Sequence, residues 1–172
     1  MGIGFDNILD HVIPMDDFVL KWRFTEEKYN QLPQLHSDQI KPLDHHAAKF
    51  LWDFINTTGL HNDVPFKRNF FRNIDEVRIG EGNDRGIKKW LYQRGIPFDK
   101  MVFLSYQPDT AMIVPWKLLI KYFDDFQYSD DLTVIDASLS WALLFYHEGE
   151  IYFGSNEGFV PGNQFNDIDF IW

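Results

Sequence analysis

The run LTVIDASLSWALLFYHEGEIYFGS, residues 132–155, limits what this chain can fold into more than any other stretch. It reads as three short strands, Thr133 to Ala137, Trp141 to His147 and Ile151 to Gly154, separated by Ser138–Ser140 and by Glu148-Gly149-Glu150. β-branched and aromatic residues fill the strands, and the Gly and Ser that tight reversals need fill the turns. Trp141, Leu143 and Phe145 fall on one face at period two, and Ala142, Leu144 and Tyr146 fall on the other. Both faces are apolar, so the meander belongs in the middle of a sheet that is covered on both sides.

The covering material lies upstream. Asp44 is placed to cap a helix, HHAAKFLWDFINTT, that stops at Gly59 and carries a wide apolar stripe through Ala47, Leu51 and Phe54. A second helix runs from about Asp84 to Arg94, with Ile87, Trp90 and Leu91 inward and Gly95 as its stop. MVFLSYQ-PD-TAMIVP reads as a hairpin, Met101–Gln107 and Thr110–Val114, and Pro115 opens a third helix, WKLLIKYFDDF. Residues 60–82 show no regular pattern. Pro14 and Pro33 bound short pieces nearer the start, where Phe18 and Trp22 are spaced as helical neighbours. The expected fold is a single α+β domain over 1–172: an antiparallel sheet of about five strands (hairpin, helix, three-stranded meander) packed by N-terminal helices. Residues 1–12 are an entry segment, and 155–172 are a tail packed on the domain or on a partner.

A chain of 172 residues with 45% apolar and 17% aromatic content supports one core of ordinary size. There is no cysteine, which removes disulfides, thiolate metal sites and a Cys nucleophile together. The first residues lack a basic segment ahead of an apolar run, and no apolar stretch approaches the ~20 residues needed to span a bilayer. The expectation is a soluble cytoplasmic chain with no membrane partner. The net charge of −10 is unevenly placed. All 16 Lys and Arg and 16 acids lie in residues 1–121, and the last 51 residues carry 10 acids and no Lys or Arg. Such a field repels nucleic acid and attracts basic partners.

Several local patterns invite a catalytic or metal reading, and each has a simpler one. His147-Glu148 has no second His at the helical spacing of a zinc motif and sits beside a Gly turn. His45 and His46 diverge by about 100° on a helix and cannot share an ion. Asp136, Ser138 or Ser140 and His147 can be drawn as a triad, but no nucleophile elbow frames them, and Asp136 between strands suits a turn-former. Gly80-Glu81-Gly82-Asn83-Asp84-Arg85-Gly86 precedes a helix, yet its spacing and acids do not suit phosphate. Lys67, Arg68 and Arg72 interleave with Phe66, Phe70 and Phe71 like a single-strand stacking platform, but the net charge opposes that use. No metal, cofactor or nucleic acid is expected.

Three patches taken together resemble a known family: IPMDDFVLKWRF at 13–24, QIKPLDHHAAKFLW at 39–52, and the ββ-helix-βββ run from 101 to 154. They are similar to a family of small bacterial proteins catalogued as a domain of unknown function, number 2947. Its entry motif is matched by Ile13-Pro14-Met15 with Lys21-Trp22, and its helix motif by Ile40-Lys41-Pro42 with Trp52. The tail after Gly154 and the 60–95 region depart from the family pattern. The resemblance implies this domain and a bacterial origin, and carries over no activity and no catalytic residue.

Two functional expectations follow. The first is a non-catalytic protein-interaction module, immunity-type or antidote-like, that presents Asp124, Asp125, Asp130, Asp131, Glu148 and Glu150 to a basic protein. The alternative is an enzyme or small-ligand binder whose aromatic pocket is lined by Tyr106, Trp116 and Trp141. A flat acidic face favours the first and a concave pocket the second. Ile168, Phe170 and Trp172 alternate with Asp167 and Asp169 like a strand, so the tail either packs on its own domain or exchanges in a homodimer.

Overall fold

The structure is a computed structural model that describes residues 2–128 and 130–169. Its centre is the expected meander: β5 (Leu132–Ile135), β6 (Trp141–Phe145) and β7 (Glu150–Ser155). The hairpin is β3 (Met101–Gln107) and β4 (Thr110–Pro115). Two further strands, β1 (Lys41–Pro42) and β2 (Asn73–Arg78), bring the antiparallel sheet to seven strands among the described residues, where about five are expected. The order is β1-β4-β3-β5-β6-β7-β2, so both additions are edges. β1 holds only two residues, one of them a proline, which is a blunt edge, and Pro42 O accepts a bond from Ile13 N. β2 pairs along its whole length with β7, from Asn73↔Ser155 to Arg78↔Glu150. Its apolar residues, Ile74 and Val77, are three apart, so no alternation marks it; backbone pairing, not side-chain burial, holds it.

The sheet separates two apolar clusters. Leu104, Val134, Leu143 and Phe145 face one layer, built from α4 (Asp84–Tyr92), α5 (Trp116–Lys121), α6 (Phe123–Phe126) and the N-terminal pieces α1 (Trp22–Thr25) and α2 (Gln34–Ser37). Phe103, Ile113, Ala142 and Leu144 face the other, built from α3 (His45–Thr58), the loop after it and a 3-10 turn at Ile8–His11. Trp141, Leu143 and Phe145 therefore point one way and Ala142 and Leu144 the other, with Trp141 only 7% exposed. α3 has the expected ends: Asp44 accepts from Ala47 N at 2.9 Å, and Gly59 takes the left-handed φ of 73°. The expected third helix is broken at Tyr122 into α5 and α6, which lets Trp116, Phe123 and Phe126 all be buried.

The tail turns once in 3-10 form at Asn163–Asn166 and buries Ile168 against the α4 layer. Asp167–Asp169 form no strand, and Phe170–Trp172 lie outside the described residues. No helix among the described residues is long and apolar enough to cross a membrane.

Candidate functional site

A cleft of about 640 Å³ opens on the α3 side of the sheet. It forms where a ladder ends. β3 and β5 pair only from Phe103↔Ile135 to Ser105↔Thr133, and the β3–β4 register shifts between Ser105 and Gln107. A bulge at the end of a pairing splays the strands, a common origin of binding sites. The C-terminal half of α3 supplies one wall through Trp52, Ile55 and Asn56. The loop after Gly59 supplies a second through His61, Asp63 and Pro65. Ser105, Thr133 and Leu144 make the floor, and Asp130, Asp131, Tyr146 and His147 the rim.

His61 ties the loop to the sheet. Pro65 O can only accept, so the 2.9 Å contact fixes the proton on His61 Nδ1. Nε2 then accepts from the Thr133 hydroxyl at 2.8 Å. Burial pushes the imidazole below its ordinary pKa, against the Pro65 bond and the Asp131 charge, so it is held neutral. Hydroxyl, imidazole and carbonyl in series have the connectivity of a nucleophile, base and orienter. Thr133 is only 7% exposed, however, and the chain of bonds reads as a strut for the 60–66 loop. Beside it, Ser105 is 3% exposed and its Oγ is buried with no hydrogen-bond partner among the described residues.

The rim is anionic. Asp131 Oδ1 accepts from both the backbone N (2.8 Å) and Nδ1 (2.9 Å) of His147. That bond from the ring, with the charges of Asp131, Glu148 and Asp130, raises the His147 pKa despite some desolvation. Desolvation and then Glu148, Asp131 and Glu150 push the Tyr146 phenol up in the same sense. Among the described residues, Asp63, Asp130 and Asp131 line the cleft and no Lys or Arg does.

The six acids expected to share a face are dispersed. Asp130 and Asp131 lie at this rim, and the charge of exposed Glu148 acts on rim residues His147 and Tyr146. Glu150 is paired with Arg78 at 2.7 Å. Asp125 is 9% exposed, pairs with Arg23 at 3.2 Å and accepts from Asn30; burial raises its pKa, which those two partners oppose. Asp124 lies beside it in a separate hollow with Lys88 and Lys121.

The three aromatics expected to share a pocket do not do so. Trp116 is fully buried, edge-on to Trp141 at 5.9 Å. Trp141 borders a different, smaller hollow of about 260 Å³. Tyr106 borders the main cleft, but its hydroxyl is buried and donates to Phe126 O at 2.7 Å.

The drawn triad is not assembled either. Asp136 accepts from Ser138 N and Trp141 Nε1, each at 2.9 Å, as a turn-former does, while His147 pairs with Asp131. Of the rings Phe66, Phe70 and Phe71 expected to suit a stacking platform, Phe66 and Phe71 are buried in the α3-side core and Phe70 packs against it. Among the described residues no group of three or more His, Asp and Glu is placed to hold a metal ion.

No protein-family model matches the chain, and no curated protein or solved structure matches it.

Proposed function

We propose that the chain is a non-catalytic binding module whose cleft between α3 and the β3–β5 strand ends takes a small organic cation. The observation that carries the reading is that, among the described residues, three aspartates and no lysine or arginine line the cleft, over a buried floor hydroxyl that has no partner. A concave site of that sign excludes anions and selects an ammonium or guanidinium group. Trp52 and Tyr146 also line the cleft, and a cation over an aromatic ring is stabilised by about 0.5–1 kcal/mol or more. The test is a titration of isotope-labelled protein with pentylamine and with pentanoate, followed by amide shifts. Pentylamine should perturb residues 130–133 and 146–147, weaken with salt, and lose about two- to fivefold in affinity in each of Asp130→Asn and Asp131→Asn. Pentanoate should leave them unmoved. Equal responses to the two would end the reading.

In a second reading the cation is a side chain of a basic partner protein entering the same cleft, as the charge distribution of the sequence suggests. Val64, 65% exposed at the lip, offers such a partner an apolar contact. A lysine-bearing peptide that binds where pentylamine does not would favour it. Membership in the 2947 family of unknown function is also proposed, on the patches at 13–24, 39–52 and 101–154 alone.

A further inference from the structure

The floor of the cleft differs in character from its rim, and the difference defines both ends of a ligand. At the rim, Asp130 and Asp131 meet the cation. At the floor, Ser105 Oγ is buried without a hydrogen-bond partner among the described residues. Its cross-strand neighbour Thr133 directs its own proton to His61 Nε2. A buried hydroxyl left unpaired is costly, and a ligand group that pairs with it removes that cost.

The floor also carries no positive charge. His61 has a proton fixed on Nδ1 and an acceptor Nε2 already in use, and among the described residues no Lys or Arg lines the cleft. A carboxylate would arrive there without a counter-charge and lose its hydration. We infer that the cleft selects cations whose far end is a neutral hydrogen-bonding group, such as an amino alcohol or an amide-terminated amine, and rejects zwitterions such as free amino acids.

This inference rests on the cationic-ligand reading, and the experiment separates the two. A homologous series of terminal amino alcohols, from propanolamine to hexanolamine, is compared with the alkylamines and the ω-amino acids of the same length. Binding is measured by amide shifts and calorimetry on the full chain. The best amino alcohol should bind about three- to tenfold more tightly than its alkylamine, the span that one buried hydrogen bond supplies. The matching amino acid should bind at least tenfold more weakly than the alcohol. In Ser105→Ala the ratio of alcohol to alkylamine affinity should fall to about one.

Alkylamine binding with no preference for the alcohol, or a preference that survives Ser105→Ala, overturns the inference and leaves the cation reading standing. Tight binding of the amino acid overturns it as well. Failure of every amine removes both. Should Ser105→Ala not fold, the wild-type ranking, together with the shift of the Ser105 and Thr133 amides on adding the alcohol, decides the matter alone.

Discussion

Individual side chains in this protein do opposite things with buried polarity. Trp141 is buried and satisfied: its indole N–H meets Asp136, and its ring lies between Trp116 and Phe153. Trp141→Ala should cost about 3–5 kcal/mol in denaturant unfolding, a large share of a typical domain's stability. Ser105 is buried and unsatisfied, so Ser105→Ala should raise stability by about 1 kcal/mol in the ligand-free protein, read as a higher denaturation midpoint. His61 is half-buried and held neutral, with its folded pKa below the ordinary 6.5. The unfolded chain then binds a proton that the native state refuses. Stability should therefore be full above about pH 6.5 and fall as pH drops from there toward the folded pKa. His61→Gln should flatten that slope in unfolding curves taken between about pH 7 and pH 5. His147 has the reverse sign. Its folded pKa is raised, so its bond to Asp131 helps the native state below the unfolded pKa and that help fades as pH rises through the folded one.

At the scale of elements, what was legible in the sequence was whatever buries side chains with a period. β5, β6 and β7 and the β3–β4 hairpin were legible because branched and aromatic residues alternate there. α3 was legible because Asp44 and Gly59 mark its ends. Asp44→Ala should cost about 0.5–2 kcal/mol through the lost cap and the lost bond from His11, a loss visible in thermal melts above the carboxylate's titration. β2 is not legible in the sequence, because an edge strand with Asn73, Asp75 and Glu76 exposed is specified by its partner β7, not by its own composition. The cleft was half legible. Asp130, Asp131 and His147 stand out by charge, and Ser105 and Thr133 could have been found as the small polar residues in strands MVFLSYQ and LTVI. His61 could not, because a lone histidine in an irregular loop gains meaning only from the strand it reaches 72 residues later. The same logic orders local stability. Amides of β5 and β6 should exchange slowest with solvent, and those of β2 that face away from β7 should exchange much faster. Equal protection in β2 and β6 would contradict this layout.

Across the whole molecule, a negative field meets a single rim histidine, and the two set how binding responds to solution conditions. Protonated His147 places a positive charge beside Asp131, with Asp130, Glu148 and Tyr146 around it. Cation affinity should therefore rise as pH climbs through the His147 pKa, above 6.5, and His147→Gln should remove that rise in titrations across it. The Asp136 turn matters on this scale too. A sheet covered on both faces has little reason to prefer one alignment of neighbouring strands over the next, since slipping β6 by one residue would trade one greasy set of contacts for another. Polar bonds discriminate where grease does not. The Asp136 carboxylate reaches Trp141 Nε1 only when the side chain of Trp141 falls on the correct side, so it acts as a latch that the slipped alignment cannot close. Asp136 thus serves as an address written into the chain, telling the two halves of the core apart while they assemble.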